Sequence, residues 1–147
     1  MSDERFWVAA YAVVTNERGE ILLTRRRDGG EWVLPGGSVA DGEAPWEAVA
    51  REVNEETALE IDELRLTGLY AKRQERDLVF VFSARPVGGR PQSSVERDRV
   101  LFVDRDRLPP GTSARDRERI DDALGAREQP VLSVQPSSGD QPPPGTR

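Results

Sequence analysis

In the stretch Arg51–Thr57, REVNEET, the acids Glu52, Glu55 and Glu56 stand at positions i, i+3 and i+4. On a helix these side chains are neighbours, and each like-charge pair costs roughly 0.2–0.5 kcal/mol. A divalent cation offsets that repulsion, because carboxylates at this spacing can converge on one or two ions at about 2.0–2.6 Å per oxygen. A solvated acidic flank is the competing reading. In a chain that is 33% charged, it accounts for the triplet taken alone. Without metal, mutual repulsion is expected to raise at least one of the three pKa values.

Composition narrows the chemistry. The chain has 147 residues, 36% hydrophobic, which suits one domain with its own core. It contains no cysteine and no histidine. That excludes a disulfide framework, a thiol nucleophile, a Cys/His zinc site and any histidine-based triad. Acid–base work falls to Asp, Glu, Lys or Tyr, and any metal must accept oxygen ligands, which suits Mg²⁺ with Mn²⁺ as a substitute. The net charge of −6 argues against a protein that coats nucleic acid. Of the 21 basic residues only Lys72 is a lysine, and arginine suits phosphate recognition. The opening MSDERFWVAAYAVV has no basic leader or small-residue cleavage site, so it does not read as a signal peptide. No apolar run approaches the ~20 residues of a membrane span, so a cytoplasmic protein without membrane contact is the default expectation.

These acids need elements to position them. FWVAAYAVV (6–14) and ILLTRR (21–26) read as strands joined by the turn NERGE, and WVLP (32–35) as a short extended piece stopped by Gly36-Gly37. SVADGEAP then enters a helix, with Asp41 as the expected cap and Pro45 in its first turn. Trp46, Val49, Ala50 and Val53 follow helical spacing and form the expected buried stripe. The three acids share one edge, with Glu47, Arg51 and Asn54 on another. Residues 60–72 and 77–85 read as strands, 99–103 as the last strand, and 113–124 as an amphipathic helix with Ile120 and Leu124 as its apolar contacts. This order indicates an α/β domain with a mixed sheet. From about residue 128 the composition turns Pro/Ser/Gln-rich, so 1–127 is read as the domain and 128–147 as a disordered tail.

The triplet also has a lead-in. Gly37, Glu43, Arg51, Glu52, Val53, Glu55, Glu56 and Leu59 fall in register with G-x5-E-x7-R-E-U-x-E-E-x-G-U, where U is a bulky aliphatic residue. In this the chain resembles the Nudix (MutT-like) hydrolases. The one departure is Ala58, which stands where the family has its second glycine. The resemblance covers about residues 5–110 and implies an α/β/α sandwich with a mixed sheet. It also implies Mg²⁺-dependent hydrolysis of a nucleoside diphosphate derivative, such as a nucleoside triphosphate, ADP-ribose or a nucleotide sugar, by attack of an activated water on phosphorus. It makes Glu52, Glu55 and Glu56 metal ligands, with a further carbonyl from Gly36. Glu52 or an acid from a separate loop would be the general base, Glu96 being the candidate and Asp98 its neighbour. Glu43 and Arg51 would orient loop and helix through a salt bridge. A left-handed backbone at Ala58 would cost roughly 1–2 kcal/mol, so the turn after the helix is expected to differ in shape.

Other residues invite two readings each. In Arg25-Arg26-Arg27, Arg25 and Arg27 are the candidates for holding the diphosphate, against a solvated strand end. Trp32 reads as core before it reads as a base-stacking platform. Beyond the box, Gln74, Glu75, Arg76 and Asp77 stand where some subfamilies carry a proline or tyrosine signature, so the sequence does not select a substrate. The expected partner is a small nucleotide, with a homodimer left open. The alternatives are a nucleotide sensor without catalysis and a pyrophosphohydrolase acting on RNA caps.

Overall fold

The apolar run near the N-terminus forms strand β1 (Trp7–Val14), whose alternate residues enter two different cores. Ala10, Ala12 and Val14 point to one side and Val13 to the other. That two-sided burial explains an apolar run without polar alternation. The computed structural model describes residues 5–136. After β1 come β2 (Ile21–Arg26), β3 (Trp32–Val33), β4 (Gly36–Ser38), helix α1 (Pro45–Thr57), β5 (Glu60–Lys72), β6 (Asp77–Gly88) and β7 (Arg97–Val103). A 3-10 turn (Arg105–Arg107), helix α2 (Ala114–Leu124) and β8 (Val131–Val134) complete the order.

The strands form a five-stranded sheet in the order β4-β1-β6-β5-β8 and a three-stranded antiparallel sheet β3-β2-β7. The larger sheet is mixed, with β1/β6 and β5/β8 parallel and β1/β4 and β5/β6 antiparallel. Val49 and Val53 of α1 pack with Ala10, Ala12 and Phe82, whereas Ile120 and Ala123 of α2 pack with Val13, Val81 and Tyr70. One helix therefore covers each side of the sheet, giving the expected α/β/α sandwich.

Five local expectations need correction. Leu124 of α2 is 45% exposed, and Ala123 packs with Ile120 instead. The cap of α1 is Ala44, not Asp41; its N–H donates to the Glu47 carboxylate at 3.0 Å, and Pro45 opens the helix. Trp46 is 58% exposed, and Ala48 joins Val49 and Val53 in the core instead. Gly36–Ser38, read as the stop after WVLP and the start of the lead-in to the helix, is an edge strand pairing with Ala9–Tyr11 of β1. Finally, 99–103 is not the last strand. Val131–Val134, placed in the disordered tail by composition, pairs in parallel with Gly68–Ala71. Gln135 beyond it is buried, and its N–H donates to Ala71 O at 3.0 Å. The Pro-rich context hid a short β-branched segment that finds an open sheet edge. The part of the tail from residue 137 onward lies outside the described residues.

Candidate functional site

Glu56 sits on the inner side of α1, and its side chain is only 2% exposed. One carboxylate oxygen accepts from Gly36 N–H at 3.0 Å and the other from Arg97 Nη2 at 3.1 Å. Burial is the main cause that pushes its pKa up, to about 7, and the nearby charges of Glu52 and Glu96 add to it. Arg97 and the Gly36 N–H act in the opposite direction. The expected upward shift is therefore present, but desolvation leads it and mutual repulsion is secondary.

Glycine is required where α1 meets β4. Gly36 has φ +148°, and a Cβ there would lie 2.3 Å from Ala10 O. A Cβ on Gly37 would lie 2.8 Å from the Glu52 carboxylate carbon. Any side chain at Gly37 would push Glu52 away from the backbone it lies against.

Glu52, Glu56, Gly36, Gly37 and Glu96 all line one open cavity of about 590 Å³. Glu55 does not line it. Its side chain is 56% exposed on the outer side and accepts from Arg51 Nη1 at 3.2 Å. Arg51 is not on a separate edge, as expected from the sequence, but beside the acids. It bonds Glu43 through Nε at 2.7 Å and Glu52 through Nη1 at 3.2 Å. The hydrogen bonds from Arg51 and from Ala40 N–H hold the Glu43 carboxyl down at about 2.

The arginine candidates separate. Arg25 lines no described cavity; it forks onto Asp98 at 3.0 and 3.3 Å and lies over the Trp32 ring. That contact also takes Asp98 away from the cavity, whose loop acids are Glu96 and Asp28. Arg27 lines the cavity, but its guanidinium donates to Val95 O at 2.9 Å and Ser94 O at 2.6 Å. It ties down the segment that carries Glu96. Arg26 and Arg97 line the same cavity, and the sequence singled out neither of them individually. Strand alternation could have separated Arg26 from Arg25 and Arg27, but a register shift at Arg25/Arg26 blurs the pattern.

A second cavity, of about 410 Å³, adjoins the first and shares Tyr11, Arg26, Asp28 and Arg97 with it. Lys72 and Asp77 line one part of it, and Asp116 and Arg119 of α2 another. Lys72 is paired with Glu75 at 2.7 Å and Asp77 at 3.2 Å. Asp116 accepts from Leu34 N–H and from Arg119, while burial, the largest influence, raises its pKa.

A model of the NUDIX domain matches residues 5–123, most of the chain. The chain belongs to the Nudix hydrolase family. A MutT-like protein of Streptomyces ambofaciens is 38% identical over 101 residues, covering 69% of this chain and 66% of that protein. A Bacillus subtilis (strain 168) protein, provisionally named an 8-oxo-dGTP diphosphatase, is 35% identical over 101 residues, 68% of each. This chain thus spans about two thirds of the length of these two relatives. The solved NUDIX hydrolase of Nitrosomonas europaea aligns with a TM-score of 0.80 over 92% of this chain and 82% of that one. At 18% identity that likeness is one of fold.

The Nudix box keeps its turn despite Ala58. This residue closes α1 in the left-handed conformation, φ 65° and ψ 7°, and its N–H donates to Asn54 O at 2.8 Å. Ala58 thus takes the left-handed conformation that the turn expected from the sequence would avoid. Nudix enzymes generally use a divalent metal. Among the described residues, no three acidic side chains already lie close enough together to hold one. The donor chemistry nevertheless fits a hard cation. The first cavity is lined by the carboxylates of Glu52, Glu56, Glu96 and Asp28, with no sulfur or imidazole donor, and the negative field of Glu52 and Glu96 already acts on Glu56.

Proposed function

We propose that this Nudix protein hydrolyses the pyrophosphate bond of a nucleoside diphosphate derivative, with Mg²⁺ (or Mn²⁺) as cofactor. The observation that carries the reading is the convergence of Glu52, Glu56, Glu96 and the Gly36–Gly37 backbone on one cavity that opens into an arginine-containing second one. Glu52, Glu56 and the Gly36 carbonyl would hold the cation, with Glu55 joining from the rim of the helix. When bound, the cation would supply charge neutralisation at the diphosphate and acidify a water.

The chain's own groups account for the rest. Arg26 and Arg97 offer donors to the diphosphate oxygens. Water oxygen bonds to one phosphorus as the bridging P–O bond breaks, so each product carries phosphate. The proton lost by water goes to a carboxylate, Glu52 or Glu96. Glu43 and Arg51 hold α1 and its lead-in together, and Arg27 holds the Glu96 segment. The second cavity takes the portion of substrate beyond the diphosphate. A nucleoside triphosphate ranks first among the candidates, because the Bacillus subtilis relative is named for such a substrate. ADP-ribose and nucleotide sugars come next.

The test is a panel of nucleoside triphosphates, ADP-ribose and nucleotide sugars, incubated with Mg²⁺ and resolved by mass. Cleavage at the pyrophosphate that stops on chelation of Mg²⁺ is expected. Metal-independent cleavage, or none across the panel, would contradict the reading.

A further inference from the structure

We propose that Gln135, beyond the stretch matched by the Nudix family model, is a positioning residue for the second cavity. It fixes Arg119 and thereby sets the affinity for the part of the substrate beyond the diphosphate. The proposal rests on the hydrolase reading for the identity of the ligand, and on geometry for everything else.

Gln135 follows β8 and is 2% exposed. Its carboxamide oxygen accepts from Arg119 Nε at 3.1 Å, and its nitrogen donates to Arg115 O at 3.3 Å and Glu118 at 3.4 Å. The backbone N–H of Gln135 is held by Ala71 O, so the side chain is anchored to the sheet. Arg119 in turn donates to Asp116 Oδ1 at 3.1 Å, and Asp116 Oδ2 accepts from Leu34 N–H at 3.1 Å. The Arg119 guanidinium carbon also lies 5.4 Å from the Tyr11 ring centroid and 5.5 Å from that of Tyr70.

Arg119 and Asp116 form part of the second cavity, and Tyr11 belongs to both cavities. Gln135 touches neither cavity. Its leverage comes through Arg119, a buried cation whose orientation is shared between one carboxamide, one carboxylate and two rings. Removing the carboxamide leaves a buried guanidinium N–H unsatisfied, which favours rearrangement of Arg119. The segment that closes the sheet edge thus supplies a contact that Asp116 alone does not.

The experiment compares wild type, Gln135→Ala and Gln135→Glu. KM and kcat are measured with Mg²⁺ on the substrate returned by the panel, and amide hydrogen exchange is measured over Leu34 and α2 without ligand. Gln135→Ala should raise KM about tenfold, leave kcat within about twofold, and speed exchange at Leu34. Gln135→Glu keeps an acceptor for Arg119 Nε but sets a carboxylate oxygen against Arg115 O and Glu118, so its KM should fall between those of wild type and Gln135→Ala. A fall in melting temperature with KM unchanged would mean a merely structural role and overturn the proposal. So would unchanged exchange at Leu34 in Gln135→Ala. Failure of the hydrolase reading would look different: wild type itself would turn over nothing, while exchange would still report whether Gln135 governs the Arg119–Asp116–Leu34 chain.

Discussion

Glu56 and Arg97 form an ion pair at 3.1 Å in which the two side chains are 2% and 10% exposed. A buried pair of this kind is weak evidence for net stability, but removing one partner is costly because the other charge is left behind. Arg97→Met should therefore lower unfolding free energy at neutral pH, but by less than a fully ionised pair would cost, because Glu56, with its pKa pushed up to about 7, takes up a proton once Arg97 is gone. Adding Glu56→Gln to it should recover part of that loss. Urea unfolding of the two single variants and the double variant measures the coupling, and strictly additive effects would show that the pair is not energetically linked.

Turnover should respond differently from stability. Glu56→Gln keeps an acceptor for Gly36 N–H but leaves the Arg97 charge unpaired, so it should melt lower than wild type while staying folded, and lose at least about a hundredfold in kcat. Steady-state kinetics beside a melting curve separate the two, and near-normal kcat at saturating Mg²⁺ would remove Glu56 from the proposed ligand set.

At the end of α1, Ala58 sits in the left-handed region that favours glycine. Ala58→Gly should stabilise the protein by about 1 kcal/mol, the strain relieved being partly offset by glycine's greater freedom when unfolded. Denaturant midpoints test this. No gain would mean that the turn is not strained.

The box was legible because its spacing is local. Gly37, Glu43, Arg51 and the acids lie on one helix and its lead-in, so a linear pattern captures them. What the sequence hid depends on long-range contacts. Arg97 reaches Glu56 from β7, and Asp98 is diverted to Arg25. Arg119 enters a cavity lined also by residues of β1, β5 and β6, far away in the chain. Helical spacing also placed Glu55 with its neighbours, but the inner and outer sides of α1 separate it from Glu56. Composition misread Val131–Val134, since Pro and Ser on either side say nothing about an open sheet edge nearby.

The Glu43–Arg51 pair gives a pH signature. The folded pKa of Glu43 is depressed, to about 2, by its hydrogen bond from Arg51. Its stabilising contribution is therefore complete above the unfolded value near 4.5 and is lost as pH falls toward 2. Wild type should melt above Glu43→Gln at pH 6, and the gap should close across that acid window. A gap independent of pH would mean that charge is not what Glu43 contributes.

Arg27 offers a test of how the loop acid is held. Because its guanidinium grips Ser94 O and Val95 O, Arg27→Ala should loosen Glu96 and lower kcat about tenfold, as small misplacements of reacting groups do. Faster amide exchange at residues 94–97 should accompany it. A rise in KM with kcat intact would return Arg27 to the role of diphosphate ligand.

The most direct measurement is of metal itself. Free Mn²⁺ can be followed by electron paramagnetic resonance as protein is added, with a non-hydrolysable nucleoside triphosphate analogue present. Wild type should take up Mn²⁺, and the Glu52/Glu55/Glu56→Gln triple variant should bind it at least about tenfold more weakly, since charged oxygen ligands dominate affinity for such ions. Equal uptake by wild type and triple variant would mean that the acidic side of α1 holds no cation, and the account of this site would be wrong.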